Sequence, residues 1–184
     1  VFNGAVAANT LTITGTATML AAVNESEIFA MGEDAILHID NTVTDGLVFI
    51  SEVAVTRPTL TSGAKIYMPE NLSNGQTIIL FDEEASNALA DAADTITETN
   101  DAIQDNALIN YVAAAGDGTN LVVTASDKAD ATTASELSVS TNAAKALRQA
   151  LNAAISDTNV DGTLEDTFND VLNAINGQSA TADT

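Results

Sequence analysis

The sequence predicts a mainly β fold that ends in α structure, and three observations carry that expectation. Short runs rich in Thr, Val and Ile recur along the first half, separated by Gly and Asp-Gly turn signals. The apolar fraction is 46% but aromatics are only 4%, so the core is built from small and branched aliphatic side chains in thin layers. From Leu137 the apolar period switches to 3.6 residues. Short strands at such spacing fit a sandwich, a barrel or a β-solenoid. Abundant Thr and Asn with few aromatics favours the solenoid, in which each rung touches only its neighbours.

Taken in order, residues 1–125 form the expected β-solenoid-like body. Thr10-Leu11-Thr12-Ile13-Thr14 alternates apolar and polar, and Gly15 separates it from Thr16-Ala17-Thr18-Met19. Glu27–Met31, Ala35–Asp40 and Leu47–Ile50 are the next strands, with Gly32-Glu33-Asp34, Asp45-Gly46 and Arg57-Pro58 as breaks. Ala64–Met68 and Gln76–Phe81 read as a firm pair of strands around Pro69 and Asn74-Gly75. Residues 82–105 read as an acidic insertion. Leu89, Ala92, Ala93, Ile96 and Ile103 recur at helical spacing, and Asp91, Asp94, Glu98, Asp101 and Asp105 fall on one stripe with no Lys or Arg near in sequence. Like charges so spaced oppose a helix at low salt, so the segment is either a weak helix or a flexible insertion. Ala107–Val112 and Asn120–Thr124 are then two strands joined as a hairpin. Residues 126–136 read as a linker and 137–177 as a helix-loop-helix. Ser140 or Thr141 caps its first helix, and Gly177 ends the second. Residues 178–184 are a tail.

The charge balance excludes several partners. With 26 acidic and 5 scattered basic residues, the formal charge is −21. Nucleic acid needs a Lys/Arg patch to neutralise phosphates, and anionic membrane surfaces need one too. Self-repulsion of this size is tolerated where salt or divalent cations are plentiful, which fits an extracellular setting. No cysteine is present, so disulfides and thiolate metal sites do not arise. No apolar run is long enough for a membrane-spanning helix. A first residue of Val rather than Met suggests a mature or excised piece of something longer.

Candidate chemistry is sparse. Asp157, Asn159, Asp161, Gly162, Thr163 and Glu165 match the first half of a Ca²⁺ loop, with oxygen donors at positions one, three, five, seven and nine and glycine at six. The twelfth position is Phe168 instead of the bidentate Glu, so the alternative is a polar interhelix turn capped by Thr163. His38, the single histidine, shares a strand face with Asp40, yet nothing places a nucleophile such as Ser51 beside it. Asp82-Glu83-Glu84 suggests paired carboxylates for glycoside hydrolysis. That chemistry also needs substrate-binding aromatic or basic groups, and the chain has no Trp and two Tyr.

The order of parts carries a resemblance. Phe2-Asn3-Gly4 and Leu11-Thr12-Ile13-Thr14-Gly15 lead to Leu72-Ser73-Asn74-Gly75-Gln76-Thr77-Ile78-Ile79-Leu80-Phe81. Asp105–Tyr111, Gly118–Ala125 and an amphipathic Ala/Leu/Asn segment follow. This resembles the C-terminal passenger region of type V bacterial autotransporters, over roughly residues 2–177. The resemblance implies a right-handed parallel β-helix, export across an outer membrane, and a non-enzymatic role in folding or displaying a surface adhesin. Expected partners are neighbouring repeats, copies of the chain itself, and a surface or glycan ligand. The alternatives are a self-assembling subunit of an extracellular filament, tube or surface layer that uses Ca²⁺, and a polysaccharide-active β-helix enzyme.

Overall fold

Alternation of Thr with aliphatic residues dictates extended backbone with one face buried, and this is what the early chain adopts. The computed structural model describes residues 1, 7–20, 25–43, 49–51, 58–83, 92–116 and 120–156. Mixed strands and helices are present, with parallel sheets, one helix set between strands of those sheets, and two helices at the C-terminal end of the described chain. The strands are β1 (Ala7–Ile13), β2 (Thr16–Met19), β3 (Glu25–Met31), β4 (Ile36–Ile39), β5 (Phe49–Ser51), β6 (Thr59–Leu60), β7 (Lys65–Tyr67), β8 (Thr77–Glu83), β9 (Ile103–Gln104), β10 (Ile109–Ala115) and β11 (Asn120–Asp127). The helices are α1 (Ala92–Ala102), α2 (Asp130–Glu136) and α3 (Thr141–Ser156).

The chain divides into two units. One comprises Val1–Pro69, Gln76–Gln104 and Tyr111–Thr124. Its strands fall into two sheets, alternating for the most part; β5 and β6, and β10 and β11, are consecutive strands of the same sheet. One sheet runs β1-β3-β5-β8-β11-β10, with β6 beside β3, and the other runs β2-β4-β7-β9. Pairing is parallel from β1 to β8 and throughout the second sheet, and it turns antiparallel where β11 joins β8.

Parallel register stacks like positions on like. Ala17, Leu37, Ile66 and Ile103 are successive partners across the second sheet, all buried. In the first sheet Ile13 lies opposite Met31 and Met31 opposite Leu60, again all buried. Leu11 faces Phe29, and Phe81 faces Leu121; the Phe29 and Phe81 rings meet with centroids 5.6 Å apart. The turns stack as well. The Gly32 N–H donates to the Ile13 carbonyl at 2.9 Å and Thr61 to Met31 at 3.0 Å; across the next step, Ile36 donates to Gly15 at 3.0 Å and Lys65 to Ala35 at 2.8 Å. Gly63 takes φ +94 in the last of these turns, a conformation that glycine adopts without strain.

The second unit comprises Glu70–Gly75, Asp105–Asn110 and Ala125–Thr184. Here the Asn74 carboxamide oxygen accepts the Asp127 N–H at 3.1 Å, and the Gly75 N–H donates to the Ala125 carbonyl at 2.8 Å. Asn106 Oδ1 accepts the N–H groups of Leu108 and Ile109, both at 2.8 Å. Helix α3 begins on Ser140, whose hydroxyl accepts the Ala143 N–H at 3.2 Å, so Ser140 rather than Thr141 is the cap. Ala144 and Leu151 are its buried positions.

Three expectations change. Residues 64–68 and 76–81 are strands, but β7 and β8 belong to different sheets, so they are not a pair; Gly75 at φ +83 turns the chain between sheets instead of closing a hairpin. The acidic segment 82–105 is not one insertion: β8 runs through Glu83, α1 occupies 92–102, and β9 rejoins the second sheet. A strand needs only its backbone and a buried face, so the acids on 82 and 83 do not prevent it. The expected linker 126–136 holds the end of β11 and all of α2; Lys128 within the stretch pairs with Glu136, and Arg148 of α3 supplies the counter-charge to Asp130.

Candidate functional site

The outward side of the second sheet gathers the unusual side chains. Strand residues alternate faces, so with Leu37 and Ile66 inward, His38 and Tyr67 point outward. Register then sets a row across four strands: Thr18 opposite His38, His38 opposite Tyr67, and Tyr67 opposite Gln104. The His38 and Tyr67 rings stack with centroids 4.7 Å apart and planes 10° from parallel. Because the ring faces meet each other, the row presents ring edges and polar tips outward. The Gln104 amide is tethered, donating to the Ala102 carbonyl at 2.9 Å.

His38 is half-buried, and burial lowers its pKa from 6.5, so the ring is uncharged at neutral pH. Asp40, the residue expected to orient it, serves its own turn: Oδ1 accepts the Thr42 N–H at 3.0 Å and the Thr42 hydroxyl at 2.8 Å. Ser51 lies in β5, the first sheet, whereas His38 lies in the second.

Of the carboxylate cluster, Asp82 and Glu83 are consecutive residues of β8, and Glu84 lies outside the described residues. On α1, Asp94 and Asp101 are exposed, while Glu98 accepts the Leu60 N–H through Oε2 at 3.4 Å. Asp91 lies outside the described residues, as do Asp157, Asn159, Asp161, Thr163 and Glu165 of the Ca²⁺ loop and the second helix of the expected pair. Among the described residues no group of three or more His, Asp or Glu side chains converges as a metal site, and no helix is long and apolar enough to cross a membrane.

Sequence reasoning missed the partner of His38. The signal was present: Ala35-Ile36-Leu37-His38-Ile39 laid over Ala64-Lys65-Ile66-Tyr67-Met68 matches position for position and puts His over Tyr. It also missed Lys128, buried although charged, whose ammonium meets both Glu136 carboxylate oxygens at 2.9 and 3.0 Å. Arg148 of α3 pairs with Asp130 at 3.1 Å and reaches the Thr133 hydroxyl at 3.3 Å. These contacts fix both ends of α2 and are structural. No protein-family model, curated protein or solved structure matches this chain.

Proposed function

We propose that this chain is a non-enzymatic structural segment of an extracellular bacterial surface protein, a β-solenoid of the right-handed parallel β-helix kind that carries or displays an adhesin. The observation that supports the reading best is the passage of successive parallel strands from one sheet to the other. β1 then β2, β3 then β4, β6 then β7, and β8 then β9 enter one sheet and then the other, with aliphatic residues in register. Coils of that kind hold themselves through ladders between neighbours and give a stiff body without a deep pocket. A net charge of −21 keeps such a body dispersed in salt-rich surroundings. The resemblance to passenger regions points the same way. The row of Thr18, His38, Tyr67 and Gln104 offers hydrogen-bonding edges to a surface or glycan ligand.

The test is surface labelling of intact bacteria that carry the gene. Antibody against this segment labels unpermeabilised cells, and external protease removes the label. Labelling that appears only after permeabilisation overturns the reading.

A second reading, assembly into a filament, tube or surface layer, is favoured by one feature. β1 and β2 stand first in their sheets, and among the described residues no strand pairs with their other edges. Light scattering with Ca²⁺ and with EDTA tests it. A size that is small and unchanged under both conditions rules assembly out.

A further inference from the structure

The other end of the seven-stranded sheet is treated differently, and that difference carries an inference independent of the surface role. β10 is the last strand of its sheet, and among the described residues no strand lies on its outer side. Its seven residues, Ile109-Asn110-Tyr111-Val112-Ala113-Ala114-Ala115, include no charge and no proline, and Val112 is 54% exposed. An uncharged edge of this length is the kind that recruits a further strand, and proteins normally blunt it with Lys, Pro or a bulge. Neither Lys nor Pro is present in β10.

What is present is Asn100, near the C-terminal end of α1. Its Oδ1 accepts the Ala113 N–H at 2.8 Å, and its Nδ2 donates to the Ala113 carbonyl at 3.0 Å. A carboxamide has the same donor and acceptor as a peptide group. These two bonds reproduce what one residue of an antiparallel neighbour exchanges with the residue opposite it. Asn is an indifferent helix former, so propensity does not explain its position in α1. The geometry does.

We propose that Asn100 is an edge lock: its carboxamide occupies the outer edge of β10 as a surrogate strand and prevents that edge from pairing with β10 of a second copy of this chain. The occupant is a second copy because antiparallel pairing of two identical strands is self-complementary about a two-fold axis, and the strand brings no charge of its own to oppose it. The −21 charge of each copy does oppose it, so the lock matters most where salt shortens the Debye length to about 3 Å, near 1 M.

The chain has no cysteine, which makes cross-linking a clean test. Val112→Cys is placed in the full chain with and without Asn100→Ala, and disulfide-linked dimer is followed in 1 M NaCl under mild oxidation. The expected result is dimer formation at least about tenfold faster in the Asn100→Ala background, slowed again at low salt. Tenfold corresponds to about 1.4 kcal/mol of edge exposure. Val139→Cys, on an exposed residue outside β10, shows no dependence on Asn100. Equal rates with and without Asn100, or equal acceleration at Val139, overturn the lock. Asn100→Asp guards against a variant that fails to fold: it keeps the acceptor for the Ala113 N–H, loses the donor to the carbonyl, and gives an intermediate rate. A folded Asn100→Asp chain that cross-links no faster than one with Asn100 also overturns it. The readout is confined to β10, so it stands or falls separately from stacking at β1 and β2.

Discussion

The two units solve the problem of a highly acidic chain in opposite ways. In the parallel-sheet unit the buried columns of the ladders are apolar. Ala17, Leu37, Ile66 and Ile103 form one buried column, and Leu11, Phe29, Phe81 and Leu121 contribute to another. Cohesion there is spread over many small aliphatic contacts, each fixed by register. The helical unit instead spends two of the chain's five basic residues on one short helix. Lys128 is buried against Glu136, and Arg148 is set between Asp130 and Thr133. The difference is a consequence of geometry. A parallel ladder stacks like on like, which suits aliphatic groups and would set identical charges against each other. A helix end needs individual partners, so single ion pairs serve it.

The most severe way to break the first mode is Leu37→Ala. Leu37 is fully buried between Ala17 and Ile66, so truncation leaves a cavity that its small neighbour cannot fill. The expected loss is about 2–5 kcal/mol, read from the denaturant midpoint at unchanged slope. A loss under about 1 kcal/mol means the column is looser than its register implies. The second mode breaks through Glu136→Gln. That change leaves the Lys128 ammonium buried with its charge uncompensated, though the partly exposed Glu136 site admits water, so the expected cost is about 1–3 kcal/mol. Adding Lys128→Met to Glu136→Gln recovers much of the loss, because a buried apolar side chain needs no counter-charge. Failure of the double variant to recover shows that Lys128 holds α2 by more than charge.

How much of this was legible follows the same division. The strands of the parallel unit were readable because a half-buried strand writes its period into the sequence, as Leu11 and Ile13 do between threonines. The pairing was not readable, since Ile13 to Met31 and Met31 to Leu60 are unequal steps and no fixed repeat announces them. The acidic stripe suggested a helix that self-repulsion opposes, and α1 forms with Thr95 and Thr99 buried and Glu98 engaged by Leu60. In the candidate site, His38 was visible as the single histidine, but its stack on Tyr67 depends on a register that only the fold supplies. Asn100 was invisible for the same reason. Its partner is the backbone of Ala113, and backbone leaves no mark in a sequence.

A smaller effect tests whether the stacked turns matter to the parallel unit. Gly63 sits at φ +94, and a Cβ added there meets Asp34 Oδ1 at 3.5 Å and its backbone nitrogen at 3.6 Å, ordinary contact distances. Space is therefore not the obstacle, and Gly63→Ala isolates backbone strain, expected at about 1 kcal/mol. Thermal unfolding checks it. The equivalent change at Gly15, where an added Cβ meets nothing and φ is not left-handed, should be neutral or slightly stabilising.

The smallest expected effect decides what the His38–Tyr67 stack contributes. Burial lowers the pKa of His38 below its unfolded value of 6.5, so the fold favours the neutral ring. Above pH 6.5 both states are neutral and the contribution is fully present. As pH falls below 6.5 the unfolded chain takes up the proton first, and stability declines until pH passes the lower folded value. The facing groups compete: Tyr67, in stacked contact, attracts an imidazolium through its ring, Asp40 just past the end of β4 favours the charged form, and Lys65 on β7 opposes it. Urea midpoints at pH 7.5 and 5.5 therefore carry a sign that discriminates. Lower stability at pH 5.5, abolished by His38→Gln, means that burial governs the row and that it behaves as part of the packed sheet. Higher stability at pH 5.5 means that the ring attraction wins, and the outward row is then a charged surface in mildly acidic surroundings, unlike the uncharged columns behind it.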